Sequence, residues 1–194
     1  MFLAEILEEQ LQGITLVYGP AASGKSTLCL EALDGRSVYV SSGRNFSAER
    51  LQSLRADAAK IMERLVLFQP GELPEWERTV EQAVQLSKLS KLIVLDTPAT
   101  PFRYSPRTMG NLSLHRMLHE LTHAHCPVLI TSEVYDRVEG MYDVQFVGGD
   151  MLRLAARTII ELKDGIATVK KHPVHTGRQW KYGIKAQGLV KIND

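Results

Sequence analysis

The sequence predicts an α/β fold: a central, mainly parallel sheet flanked by helices, with an antiparallel edge in the C-terminal region. Short apolar runs alternate with helical stretches along most of the chain, as in a βαβ series. The runs Leu92–Leu95 and Val128–Ile130 lack polar alternation, which is typical of parallel strands covered by helices on both faces. After Gly140 the pattern changes to a hairpin, which predicts the antiparallel edge.

The elements follow from the spacing of the apolar residues, since short β-rich runs predict strands and three- to four-residue spacing predicts helices. The parallel part is expected to be strand Gly13–Tyr18, helix Gly24–Leu33, strand Ser37–Ser41, helix Ser47–Lys60, strand Arg64–Phe68, helix Leu73–Leu89, strand Leu92–Asp96, helix Asn111–Ala124 and strand Pro127–Ser132. The antiparallel part is expected to be strand Thr158–Leu162, a turn at Lys163-Asp164-Gly165, strand Ile166–Lys171 and a strand around Gln179–Ile184.

Length and composition fit one domain over residues 1–194. Hydrophobic residues make up 44% and charged residues 23% of the 194, which excludes disordered, collagenous and coiled-coil chains. No apolar run approaches the ~18 residues of a membrane span, and Met1 to Gln12 lacks the basic start of a signal peptide. The two cysteines, Cys29 and Cys126, lie in unrelated apolar contexts, so we expect no disulfide framework or Cys-rich zinc site and a reducing, cytoplasmic location.

The charge is balanced overall but unevenly distributed. The formal net charge is +1, which by itself requires neither a nucleic acid nor an acidic surface as partner. Residues 151–194, however, hold nine Lys or Arg against three Asp or Glu. Either this region faces phosphates, or its cations occupy exposed strand positions.

A phosphate-binding loop is predicted directly after the first strand. The pattern G-x-x-x-x-G-K-[ST], known as Walker A, stands between a strand and a helix, as that motif requires. Its backbone N–H groups and the helix N-terminus make a concave anion site, in which the lysine reaches the β- and γ-phosphates. The loop comprises Gly19, Pro20, Ala21, Ala22, Ser23, Gly24, Lys25, Ser26 and Thr27.

Ser26 and Asp96 are the predicted Mg²⁺ ligands. The Ser26 hydroxyl would bind the ion directly, and Asp96 would hold it through water. Asp96 ends the apolar strand Leu92–Leu95, and the carboxyl ends of parallel strands converge on the same crevice as the phosphate loop. The alternative is that Asp96 only begins the turn before Pro98.

A second motif suggests a different chemistry. Residues His119–His123 spell H-E-x-x-H, the helical zinc-protease signature. The apolar stripe of this helix runs through Leu114, Leu118 and Leu121, which places the histidines on the opposite, solvated face. No third ligand stands at a suitable spacing, so we expect a polar helix face rather than a peptidase site.

Taken together, the motifs resemble the RecA/RadA recombinase core, and most closely the short archaeal RadB-like paralogues that lack the N-terminal domain of RadA. The resemblance spans nearly the whole chain and implies a P-loop NTPase of RecA type, ATP and Mg²⁺ as cofactors, and a role in DNA recombination or repair. The matching segments are the phosphate loop together with Gly13–Pro20, Val94–Thr100, Val128–Tyr135 and Gly148–Asp150.

One departure from the family concerns catalysis. The segment Tyr39–Leu51 resembles the one in which the family carries a glutamate that activates the attacking water, but Gly43 stands at that position. A general base contributes ~10²–10⁴-fold in rate, so we predict ATP binding with weak hydrolysis. Glu133 occupies the place of the glutamine that senses the γ-phosphate in the family, and we predict that it substitutes as the base. Lys25, Asp96 and Glu133 are therefore the catalytic candidates.

The resemblance also implies partners. The family's first DNA loop corresponds to Phe102–Arg107, whose Arg103, Tyr104 and Arg107 are candidates for binding single-stranded DNA, although aromatic residues of such a loop can also pack on the core. The second loop, between Val134 and Gly148, carries more acidic than basic residues and is a poor surface for DNA. Lys170 and Lys171 are candidates for completing a neighbour's nucleotide site in trans, or else lie on an ordinary exposed strand.

The leading prediction is an ATP-binding, weakly hydrolysing RecA-like protein that acts on DNA or on a partner recombinase, with self-association possible and no membrane involved. A small nucleoside or nucleotide kinase has a similar length and loop, but the four-cysteine zinc site of thymidine kinases is absent. A clock-protein-like signalling ATPase of the same superfamily stays open, because no residue discriminates it.

Overall fold

The structure is a computed structural model that describes residues 2–7, 9–42, 46–98, 107–135, 145–146 and 149–192. Its described strands are β1 Ile14–Gly19, β2 Ser37–Ser41, β3 Val66–Phe68, β4 Leu92–Asp96, β5 Val128–Tyr135, β6 Gln145–Phe146, β7 Thr158–Lys163, β8 Ile166–Lys171, β9 Gln179–Lys185 and β10 Gly188–Lys191. Its described helices are α1 Phe2–Leu7, α2 Lys25–Ala32, α3 Ala48–Leu54, α4 Ala58–Met62, α5 Leu73–Leu86, α6 Arg107–Leu121 and α7 Gly149–Ala155, with a 3₁₀ turn at Ser87–Leu89.

The ten described strands form one sheet in the order β10-β9-β8-β7-β1-β5-β4-β2-β3, with β6 paired to β5. The six strands from β7 to β3 in this order are mutually parallel. Strands β8, β9 and β10 continue the sheet from β7 in antiparallel pairing. The fold class predicted from the sequence, a mainly parallel sheet with an antiparallel C-terminal edge, is confirmed.

Apolar side chains are buried on both faces of the parallel strands. One core contains residues of α1 to α4, such as Leu28 and Leu51, packed with Val94 of β4. The other core contains residues of α5, α6 and α7, among them Trp76, packed with Leu95 of the same strand. Because neighbouring residues of β4 are buried on opposite faces, this strand has no polar alternation.

The predicted helix Ser47–Lys60 is two helices, and Arg55 explains the break. Arg55 has extended dihedral angles, φ −135° and ψ 121°, which end α3. Its guanidinium donates to the carbonyl oxygens of Glu31 and Leu33, each at 2.9 Å, at the end of α2. It also pairs with the Asp57 carboxylate at 2.8 Å. The carbonyl groups at the end of α2 thus obtain donors that a continuous helix over 47–60 would not supply.

Other boundaries differ by a few residues. Helix α6 begins at Arg107 instead of Asn111, and β5 extends to Tyr135 instead of Ser132. Helices α1 and α7 and strands β6 and β10 were not predicted. Helix α1 covers the first core with Phe2, Leu3, Ile6 and Leu7, and β10 is joined to α2 where the Leu189 N–H donates to the Glu31 carboxylate.

Candidate functional site

The candidate site lies where three parallel strands end, an edge that we call the carboxyl edge. Strand β1 ends at Gly19, where the phosphate loop begins, and β4 ends at Asp96. Strand β5 lies between them in the sheet. Its Glu133 is the register partner of Gly19. The sheet therefore brings the loop and both predicted acidic residues to one edge, as open α/β sheets do at their ligand sites.

The phosphate loop has the conformation of a tight connection into α2. Ala22 and Gly24 have φ of 61° and 96°, and Gly24 caps the N-terminus of the helix. Gly19 has no room for a side chain, because a Cβ there would collide with the carbonyl oxygen of Leu162 on β7 and lie 2.8 Å from the Ser23 Oγ. The Tyr182 hydroxyl donates to the Ser23 carbonyl oxygen at 2.9 Å, so the C-terminal strands support the loop from outside.

Lys25 is buried and lies against the loop. Its Nζ donates to the carbonyl oxygens of Gly19 at 2.8 Å and Pro20 at 2.6 Å. Burial lowers the pKa of this ammonium, whereas the charges of Glu133 and Asp96 act in the opposite direction. The loop thus holds a partly desolvated cation at the end of β1, where anionic oxygens would be attracted strongly.

Asp96 is completely buried, and hydroxyl groups surround its carboxylate. The hydroxyls of Thr131 and Ser26 donate to its Oδ1 at 2.8 and 3.3 Å. The Tyr39 hydroxyl donates to its Oδ2 at 2.7 Å. Thr97, with φ 59°, directs its backbone N–H to the Thr131 Oγ1 at 2.8 Å. The carboxylate is therefore held by residues of β2 and β5 as well as by the loop.

Sequence reasoning found Ser26 and Asp96 but missed Tyr39 and Thr131. Burial raises the pKa of Tyr39 far above its usual value, so its phenol stays protonated and can donate. Both residues stand on strands that flank β4, the strand of Asp96. Their proximity to Asp96 could be inferred from the sequence only if the order of the strands in the sheet were known.

The donor set fits the ion that the fold family implies. The Ser26 hydroxyl and the Asp96 carboxylate are oxygen ligands of the kind that Mg²⁺ prefers. They lie 3.3 Å apart at the N-terminal end of α2. Together they could hold Mg²⁺ beside phosphate oxygens bound by the loop, with Ser26 as a direct ligand and Asp96 as an acceptor for a bound water.

Several predicted site residues lie outside the described residues. These are Gly43, the two DNA-loop candidates Arg103 and Tyr104, and most of the second loop between Val134 and Gly148, namely residues 136–144 and 147. Arg107 is described as the first residue of α6.

Lys170 and Lys171 stand far along β8, away from the carboxyl edge. Strand β8 runs antiparallel to β7, and Lys171 pairs with Ile159, whose partner on β1 is Leu16. The Lys170 ammonium lies 3.2 Å from the Glu161 carboxylate, and the Lys171 Nζ donates to the Arg153 carbonyl oxygen at 2.7 Å. Both lysines therefore have partners in β7 and α7 of their own chain.

The H-E-x-x-H segment behaves as a polar helix face. Leu114, Leu118 and Leu121 are buried, whereas His119 and His123 are exposed. Within the part of the chain that the structure describes, no three His, Cys, Asp or Glu side chains are grouped closely enough to hold a metal ion. The expectation of a solvated face is confirmed for these residues.

The chain is similar to proteins named RadB. The DNA repair and recombination protein RadB of Methanoculleus marisnigri is 30% identical over 93% of this chain and 90% of its own length. The protein of the same name from Methanococcus maripaludis is 25% identical over 97% of this chain and 98% of its own. A crystal structure of the RadB recombinase superposes with a TM-score of 0.80 at 25% identity, covering 98% of this chain and 96% of that one.

No protein-family model matches the chain. Among the described helices, none has both the length and the apolar character needed to cross a membrane.

Proposed function

The chain belongs to the RadB family of DNA repair and recombination proteins, within the RecA/RadA superfamily, and on this premise we propose that it binds ATP and Mg²⁺ and hydrolyses ATP weakly. It would act in the cytoplasm, on DNA or on a partner recombinase, as a single RecA-like ATPase domain over residues 1–194 whose conformation responds to ATP. The observation that carries the proposal is the meeting of Lys25, Ser26 and Asp96 at the carboxyl edge.

In this proposal each part of the site has a separate task. The backbone of residues 19–27 and the N-terminus of α2 bind the phosphates, and Lys25 supplies the ammonium for the β- and γ-phosphate oxygens. Ser26 and Asp96 hold Mg²⁺, which neutralises charge on those oxygens. Burial of Lys25 and Asp96 supports these roles, because electrostatic interactions are stronger away from bulk water.

Weak hydrolysis follows from the sequence at the position of the usual base. Gly43 cannot accept a proton, and no carboxylate stands between Val38 and Ala48. Glu133 is the substitute that we propose, since its strand position opposite Gly19 places it at the carboxyl edge and its charge acts on Lys25. It would take the proton of the attacking water.

We expect Glu133→Gln to lower ATP hydrolysis by about 100-fold, within the ~10²–10⁴-fold contribution of a general base. ATP affinity should not weaken, because the change removes a negative charge near bound phosphates. Single-turnover hydrolysis of radiolabelled ATP measures the rate. Glu120→Gln, on the outer face of α6, is the matched control and should hydrolyse ATP as the unaltered chain does. An unchanged rate in Glu133→Gln would show that Glu133 is not the base.

Contact with DNA is proposed for Arg103, Tyr104 and Arg107, since cations with an aromatic residue suit phosphate contact and base stacking. Lys170 and Lys171 are proposed to complete the site of a neighbouring copy, since they lie away from the carboxyl edge of their own chain. Self-association is the state in which this contact would form.

The functional test is a coupled ATPase assay with and without single-stranded DNA. We expect DNA to stimulate the slow hydrolysis or to be retained only when ATP is present, and retention to fall as salt rises, because phosphate contacts release counterions. A parallel reaction contains thymidine as a possible phosphate acceptor. Formation of phosphorylated nucleoside would contradict the proposal and indicate a kinase.

A further inference from the structure

We propose that Tyr39 is a positioning residue for Mg²⁺ binding: together with Thr131, it holds the Asp96 carboxylate in one orientation. We call Tyr39, Asp96 and Thr131 the carboxylate bracket. The inference rests on the proposed nucleotide function and goes beyond it, because it assigns a role to two residues that do not belong to the phosphate-loop motif.

Strand register explains why Tyr39 reaches Asp96. Tyr39 of β2 lies opposite Val94 of β4, and Asp96 stands two residues further along β4. Residues two apart on a strand point to the same face of the sheet, so the phenol extends toward the carboxylate. The tyrosine ring is fully buried and meets the Phe46 ring edge-on at a centroid distance of 5.4 Å, which limits its movement.

Within the bracket, Tyr39 and Thr131 hydrogen-bond different oxygens of the Asp96 carboxylate. Tyr39 donates to Oδ2 at 2.7 Å, and Thr131 donates to Oδ1 at 2.8 Å. The Thr131 Oγ1 also accepts the Thr97 N–H, so its hydroxyl proton remains available for Asp96. Asp96 has no exposed surface, so rotation of its carboxylate would break both hydrogen bonds without new ones to bulk water, which is unfavourable.

This arrangement determines which oxygen meets the metal site. Oδ1 is the oxygen to which the Ser26 hydroxyl donates, at 3.3 Å, whereas Oδ2 accepts the hydrogen bond from the Tyr39 phenol. Hydrogen bonds from a second layer of residues orient metal-binding groups, and their loss typically lowers metal affinity by ~10–100-fold. Core packing alone would be served equally well by phenylalanine, so the hydroxyl of Tyr39 is the informative atom.

The test uses electron paramagnetic resonance to measure the affinity for Mn²⁺ of two ATP complexes, that of the unaltered chain and that of Tyr39→Phe. We expect the variant to bind Mn²⁺ about tenfold more weakly, at the lower end of the range for such partners. ATP affinity measured in EDTA should stay the same, because the loop and Lys25 are untouched. In an Asp96→Asn background the Tyr39→Phe change should have no further effect, since the phenol acts through the carboxylate.

Each contrary outcome has a distinct meaning. Equal Mn²⁺ affinities in the unaltered chain and Tyr39→Phe would overturn the inference and leave the nucleotide proposal intact. A loss of ATP affinity in EDTA as large as the loss of Mn²⁺ affinity would also overturn it, because it would show that Tyr39 supports the loop and not the carboxylate. Failure of the unaltered chain to bind ATP with Mn²⁺ would refute the proposed function and the inference with it.

A second pair of variants covers the case in which Tyr39→Phe does not fold. Thr131→Val removes a hydroxyl that donates to the other carboxylate oxygen and accepts the Thr97 N–H, and Thr131→Ser restores it. The bracket predicts weaker Mn²⁺ binding by Thr131→Val and recovery in Thr131→Ser. Equal affinities of these two variants would overturn it.

Discussion

Lys25→Ala should lose ATP binding, with affinity reduced by about 100-fold or more, because each hydrogen bond to a charged group contributes ~1.5–3 kcal/mol and Lys25 supplies the loop's ammonium. The alanine variant keeps the backbone N–H groups of the loop but lacks the ammonium group that donates to the carbonyl oxygens of Gly19 and Pro20. Equilibrium dialysis with labelled ATP and Mg²⁺ gives the affinity.

The control for this change is Lys60→Ala, on the exposed side of α4, which removes the same charge away from the carboxyl edge. It should bind ATP like the unaltered chain. Affinity retained in Lys25→Ala would contradict the assignment of residues 19–27 as the phosphate loop.

Gly19→Ala should destabilise the fold by at least ~3 kcal/mol, at the upper end of the usual range for overpacking. The added Cβ would collide with the Leu162 carbonyl oxygen, which belongs to the backbone of β7 in the middle of the sheet. A backbone atom fixed by strand pairing cannot move aside as a flexible side chain could. Urea unfolding followed by circular dichroism measures the change in the free energy of unfolding.

Gly71→Ala is the matched control. Its φ is not in the left-handed region, and the nearest atom to an added Cβ is the Glu75 Oε2 at 3.6 Å. We expect a change within ~0.5 kcal/mol, as for ordinary surface substitutions. Equal stability of the Gly19 and Gly71 variants would show that β1 and β7 can separate at the loop.

The parallel core could be predicted because its signals are local. Its strands Ser37–Ser41 and Leu92–Asp96 have the predicted bounds, and so does Ile166–Lys171 of the antiparallel edge, since each is a short β-rich run between turn residues. The break at Arg55 could not be predicted, because its cause is the end of α2, more than twenty residues earlier in the sequence. Tertiary contacts overrode local propensity there.

The same distinction applies to the site. Lys25 and Ser26 belong to a contiguous motif, and Asp96 follows a buried strand, so the sequence alone indicates them. Tyr39 and Thr131 contact Asp96 across the sheet. The pairing of β2 and β5 with β4 is a property of strand order, which apolar periodicity does not encode. For Glu133, the resemblance supplied the candidate and the register with Gly19 places it at the carboxyl edge.

The most direct test of the account is isothermal titration calorimetry of the full chain with ATP in the presence of Mg²⁺. We predict saturable heat that fits one nucleotide per chain and disappears in Lys25→Ala. Absence of binding heat with both ATP and GTP would contradict the account at its foundation, because the roles proposed for Ser26, Asp96, Glu133 and Tyr39 all require a nucleotide in the loop.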